Sequence, residues 1–135
     1  MDTMILACGG GSDVGQLSNQ AAVELTLEGF GKLSCLAAVG ARLPAFIQAA
    51  KDIAILVVID GFEVGCAKGV LAQAEVPLRA YLVITALGND KNKNLNLPRP
   101  ETDRGKQTAT DLRRRRREAD GHRSYTRHQK LFPLF

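Results

Sequence analysis

Apolar and polar positions along the first 88 residues fall into blocks whose lengths suit strands and helices in turn. Thr3 to Ala7 is a short apolar run that meets Cys8 and a glycine cluster, as a buried strand does on entering a loop. Ser12 or Asp13 then offers an N-cap. Val14, Leu17, Ala21, Leu25 and Leu27 recur near helical spacing, and Gly29 closes that helix. Leu33 to Val39 reads as a second strand with Cys35 in its middle. Gly40 to Leu43 turns the chain, and Pro44 suits the first turn of a helix through Phe46, Ile47 and Ala50.

Ile53 to Ile59 is the strongest strand signal. It is apolar without interruption, as expected where helices cover both faces of a parallel sheet. Asp60-Gly61 ends it, a third helix is expected from Phe62 or Glu63 to Ala74, and Tyr81 to Thr85 gives a fourth strand stopped by Leu87-Gly88. This repeated alternation predicts an α/β fold: a small, open, doubly wound parallel sheet of about four strands, Rossmann-like, with right-handed crossovers. After Gly88 the pattern fades. Asn89 to Leu97 is polar, Pro98-Arg99-Pro100 breaks structure, and no amphipathic period is sustained beyond Glu101. The expected organisation is an α/β domain over 1–98 and a basic, disordered or loosely attached tail over 99–135. The apolar end, Leu131 to Phe135, belongs to no pattern.

Charge sharpens that division. Residues 1–88 carry five Lys or Arg against eight Asp or Glu, whereas 89–135 carry thirteen against six. The net charge of +4 therefore belongs to the tail. Arg113 to Arg117 is a run of like charge without interleaved aromatic residues to stack on bases, which argues against a nucleic-acid partner and for a solvated segment. The longest apolar stretch is strand-sized, so no membrane partner is expected. The N-terminus lacks the basic start of a signal peptide, and three widely spaced cysteines do not read as a disulfide framework. Reduced thiols in the cytoplasm are the expectation.

The chemistry then follows from the fold. In open α/β sheets the binding crevice lies at the carboxyl ends of the strands. Cys8 follows the first strand, Asp60 ends the third, and Cys66 lies just beyond it. Cys35 joins them if its strand ends early. Soft sulfur ligands in such a group suit zinc or another thiophilic ion, with Asp60 as a fourth donor, so a metal ion is the expected partner and its handling or sensing the expected function. The bland reading is that each cysteine packs as a small hydrophobe, which for Cys35 between Leu33 and Leu36 carries about even odds. The alternative function is a thiol-dependent enzyme in which the glycine loop and helix end activate Cys8 as nucleophile. The loop Cys8-Gly9-Gly10-Gly11-Ser12 lacks the Lys-Ser/Thr of a nucleotide P-loop, and Val14 stands where a Cys-x5-Arg phosphatase loop needs Arg. His122 and His128 sit in the tail, far in sequence from Cys8.

Three blocks together resemble the DGC-domain family: Cys8-Gly-Gly-Gly-Ser-Asp-Val-Gly-Gln-Leu-Ser-Asn19, Gly31-Lys-Leu-Ser-Cys35-Leu-Ala-Ala-Val-Gly40, and Ile59-Asp60-Gly61 with Cys66. The resemblance runs from about Ile5 to Leu97. It implies a small prokaryotic protein of a kind described as zinc-binding, with no settled activity. It also implies four cysteines, of which three carry over to Cys8, Cys35 and Cys66. Phe62 stands where the Asp-Gly-Cys motif places its own cysteine, which leaves the implied site one thiolate short and adds apolar bulk beside it.

Overall fold

The computed structural model describes residues 2–88, 91, 95, 96 and 99–129, with backbone alone at 99–101 and 121–129. The apolar end Leu131 to Phe135 and the side chains of His122 and His128 lie outside the described residues.

Four strands form one parallel sheet: β1 (Thr3–Ala7), β2 (Lys32–Leu33), β3 (Ile55–Asp60) and β4 (Ala80–Val83), in the order β2-β1-β3-β4. The chain leaves β1 for β2 on one side and returns to β3 on the other. Successive residues of β3 face opposite ways, and both faces are buried. Val57 and Ile59 pack with Ile5 and Leu82 under α1 (Asp13–Leu27), while Leu56 and Val58 pack with Leu6 under the opposite layer. That layer consists of α2 (Leu36–Gly40), α3 (Pro44–Asp52) and α4 (Cys66–Gln73). The fold is the Rossmann-like open sheet that the alternation predicts.

The second strand is shorter than its apolar run suggests. β2 pairs only with β1, through Met4 with Lys32 and Ile5 with Leu33, and leaves the edge of β1 at Leu6 and Ala7 without a strand partner. Ser34 still donates its N–H to the Ile5 carbonyl, and the chain then turns into α2. Leu36-Ala37-Ala38-Val39 favours that helix because alanine has the highest helix propensity and Val39 can still reach the core. Cys35 is consequently the residue before α2, exposed, and not in a strand. A 3₁₀ turn over Ile84–Leu87 likewise shortens the fourth strand.

The larger difference lies after residue 98. Where a loose basic tail is expected, α5 (Arg99–Gln129) packs beside α1 and covers one edge of the same core. Its contact seam is Thr102, Gly105, Ala109 and Leu112, at the three- and four-residue spacing that places side chains on one helix face. A side chain at Gly105 would come within 3.0 Å of Ile84 Cδ1 and 3.6 Å of Ala21 Cβ, so glycine lets the helix approach closely. The polar faces are also paired. Lys106 bridges Glu24, at 3.1 Å, and Glu28. The Arg113 guanidinium sits 3.7 Å over the Phe30 ring and donates to the Phe30 carbonyl, and Arg117 pairs with Asp2 at 2.9 Å.

Ala109 is fully buried in that seam. Ala109→Leu should cost about 2 kcal/mol, because a close-packed contact has no room for three added carbons. Urea unfolding measures it, and a change within error would mean that α5 rides loosely on the sheet. No helix among the described residues is long and apolar enough to cross a membrane.

Candidate functional site

The chain goes from β1 into α1 on one face of the sheet and from β3 into α4 on the other. The two strands stay paired to their carboxyl ends, and the connections leaving them diverge to opposite faces, as at the switch point of doubly wound sheets. A cavity of about 510 Å³ opens there, lined by Cys8, Gly10, Gly11, Ser12, Asp60, Phe62, Cys66 and Lys91 among others.

The glycine loop after β1 is held from below by α1. Ser12 caps the helix by accepting from the Gly15 N–H at 3.4 Å. The Gln16 amide donates to the Gly9 and Gly10 carbonyls at 3.2 and 3.0 Å, and the Ser18 hydroxyl donates to the Cys8 and Gly15 carbonyls. Gly61, just past β3, passes so close to α1 that a Cβ there would lie 2.5 Å from the Gly15 nitrogen and the Val14 carbonyl carbon. Glycine at position 61 thus locks the loop after β3 against the start of α1.

Cys8 and Cys66 both line this cavity. Cys8 is half-buried, and Cys66 is exposed as the first residue of α4. Burial pushes the Cys8 thiol above its ordinary value; a hydrogen bond from the Gly10 backbone opposes this, while the neighbouring Cys66 and Asp60 push it further up. The desolvation of this wall outweighs the glycine loop's N–H, so the surroundings of Cys8 weaken its acidity where an activated nucleophile would need it strengthened.

Asp60 is 1 % exposed, and both of its oxygens are committed. One accepts the Ala67 N–H at 2.8 Å; the other accepts the Lys68 N–H at 3.0 Å and the Tyr81 hydroxyl at 2.9 Å. Asp60 thus caps the first turn of α4 from a neighbouring strand. Tyr81 is held in its neutral form by burial and by donating to that carboxylate, both of which raise its pKa. Lys68 lies over the outer face of the same ring, 5.9 Å from its centre.

The expected metal centre is overturned by these placements. Among the described residues, no group of three or more His, Cys, Asp or Glu could hold a metal ion. Cys35, although its strand does end early, faces a separate recess with Asn19, Ser34 and Val70. Asp60 has turned its oxygens to α4 and Tyr81. Phe62 occupies the wall where a further thiolate was implied, with the Lys91 ammonium 4.4 Å above its ring. Zinc as cofactor, a metal ion as partner, metal handling as function and a three-cysteine cluster are all withdrawn on that ground.

Tyr81, Lys91, Gln16 and Ser18 are site residues that the sequence reading missed. Tyr81 had a usable signal. It pairs with Val58, two residues before Asp60, and alternation along parallel strands puts it on the Asp60 face. Lys91 had none, because it lies in a polar stretch with no period.

The profile of the DGC domain matches residues 4–110. The chain belongs to the DGC domain family. The match reaches past Pro98 and takes in the first turns of α5, so the DGC domain here is wider than its strand-helix blocks suggest. A curated relative, the "Anaerobic and virulence modulator AnvM" of Pseudomonas aeruginosa, is 33% identical over 88 residues, which is 65% of this chain and 67% of the relative. No solved structure matches the chain. In this DGC domain the segment reads Asp60-Gly61-Phe62, in which Asp60 caps α4 and Gly61 packs against the start of α1.

Proposed function

We propose that this DGC domain is a redox-responsive thiol module in which Cys66 and Cys8 close reversibly to a disulfide. The observation that carries the reading is that two free thiols, one just past β1 and one at the start of α4, share one cavity, close enough for Cys66 to perturb Cys8. Cys66 is exposed and meets an oxidant first. With hydrogen peroxide, its thiolate sulfur bonds to one oxygen, the O–O bond breaks, hydroxide leaves, and Cys66 becomes a sulfenic acid. The Cys8 sulfur then attacks the Cys66 sulfur. The S–O bond breaks, and water leaves carrying the Cys8 proton. A cellular dithiol restores the pair.

Cytoplasmic residence suits this reading, because a reducing compartment holds the resting pair as thiols. The relative's name, with its reference to anaerobic modulation, supports a module that answers to oxidant supply. So does the raised Cys8 thiol, which stays protonated and is spared direct oxidation until Cys66 has reacted.

Peptide mapping after mild peroxide treatment tests the proposal. A Cys8–Cys66 cross-link should appear and vanish with a dithiol, and Cys8→Ser should leave Cys66 as a sulfenic acid trapped by dimedone. Modification confined to Cys35 would sink it. Alkylation supplies a second check: at neutral pH, iodoacetamide should label Cys35 and Cys66 before Cys8. Labelling of Cys8 should accelerate only as the pH rises past the ordinary range of a free thiol.

A further inference from the structure

β2 leaves the sheet after Leu33, and the chain that follows turns into α2 without continuing beside β1. At either end of β1, the Asp2 carbonyl and the Cys8 N–H bond to Ile55 and Ile59 of β3, at 3.0 and 2.9 Å. Backbone groups alternate in direction along a paired strand, so Ile5 and Ala7 turn theirs to the β2 side. There the Ile5 carbonyl accepts the Ser34 N–H at 2.9 Å. The N–H and C=O of Ala7 have no such partner among the described residues. An unpaired edge of this kind is a template for another strand.

Ala7 lines a recess of about 430 Å³ that straddles the edge of the sheet. On the α1 side its wall includes Asn19, a half-buried residue whose amide also has no hydrogen-bond partner among the described residues. On the other side stand Leu36 and Val70, which border the apolar layer under α2 and α4. No Lys, Arg, Asp or Glu lines it. Side chains of an extended chain point alternately to the two faces of a sheet. A strand laid beside Ala7 would therefore offer one side chain to the Asn19 amide and the next to an apolar wall.

We propose that this recess is a strand-addition site for an extended, uncharged peptide segment of a partner protein. The segment's backbone donates to the Ala7 carbonyl and accepts from the Ala7 N–H. Its side chains alternate between a polar one at Asn19 and an apolar one at Leu36 and Val70. Main-chain bonds give such a site its affinity, and the two walls give it selectivity. The site is separate from the Cys8–Cys66 cavity and does not depend on the thiol pair.

The test pans short random peptides displayed on phage against the full chain, kept reduced with a dithiol, and synthesises the strongest binder. Amide exchange read by NMR then locates it. In the free protein the Ala7 N–H should exchange far faster than that of Cys8, which is bonded to Ile59. Saturating peptide should slow Ala7 exchange by about tenfold or more. Methylating the one peptide nitrogen that faces Ala7 should weaken binding about tenfold, whereas methylating the nitrogen beside it should not. Asn19→Ala should weaken binding several-fold and leave Cys8 exchange as it was, which shows that the sheet is intact. An Ala7 N–H as slow as that of Cys8 in the free protein would overturn the proposal. So would panning that yields no binder, or a binder that leaves Ala7 exchange unchanged, as one held by the α5 arginines would.

Discussion

Gly61→Ala is expected to lower the unfolding free energy by about 3 kcal/mol or more, with little change in the denaturant slope. The added methyl would sit 2.5 Å from backbone atoms of Val14 and Gly15, and backbone cannot swing aside as the tip of a side chain can. Either α1 must move off β3 or the loop after β3 must lift. Both movements open the floor of the cavity, so slower Cys8–Cys66 closure should accompany the loss of stability. A variant within about 1 kcal/mol of the parent would show that the two segments slide freely, and the rigid cavity floor described above would be wrong.

Asp60→Ala should cost about 3 kcal/mol, for a different reason. It removes no close approach; instead it strands two N–H groups at the start of α4 and a tyrosine hydroxyl, all of which had found a charged acceptor. Asp60→Asn keeps one acceptor oxygen and should cost clearly less. The pair of variants also separates stability from positioning. Asp60 fixes the turn that carries Cys66, so Asp60→Ala should slow disulfide closure even at temperatures where the protein remains folded. Unchanged closure in the folded variant would mean that Cys66 reaches Cys8 without this cap.

The parts of the fold that the sequence reveals are those where one residue type has one physical use. The apolar run from Ile53 marks a strand buried on both faces, which occupies Ile55–Asp60 once Ile53 has closed α3, and Pro44 and the glycine loop mark helix boundaries by backbone chemistry. The parts it conceals depend on partners distant in sequence. β2 stops at Leu33, with Leu6 and Ala7 of β1 still beyond it, because the chain turns away into α2 to bring Val39 to the core, which no local property of Ser34 or Cys35 expresses. The seam of α5 has leucine only at Leu112 and is otherwise threonine, glycine and alanine, too small to register as an apolar face, and Lys106, Arg113 and Arg117 are matched to Glu24, Glu28, Phe30 and Asp2 about 80 to 115 residues away.

The candidate site divides in the same manner. Strand order brings Cys8, Asp60 and Cys66 to one crevice, and that much follows from the α/β alternation. Whether a carboxylate faces the crevice or the helix beside it is decided by which N–H groups stand nearby. For Asp60 these are Ala67 and Lys68, seven and eight residues further on. A list of potential ligands is thus legible in the sequence, whereas the direction each side chain takes is a property of the packed molecule.

The sites of Cys8 and Cys66 along the chain carry one more implication. The first ends β1 and the second begins α4, so the segment between them holds α1, β2, α2, α3 and β3. A bond between the two sulfurs would make nearly half the protein into a closed ring and restrict the unfolded chain far more than the native one. Oxidant exposure would then be written into the protein's lifetime: the oxidised form would open less often to proteases, and its abundance would report past redox history even after the oxidant is gone.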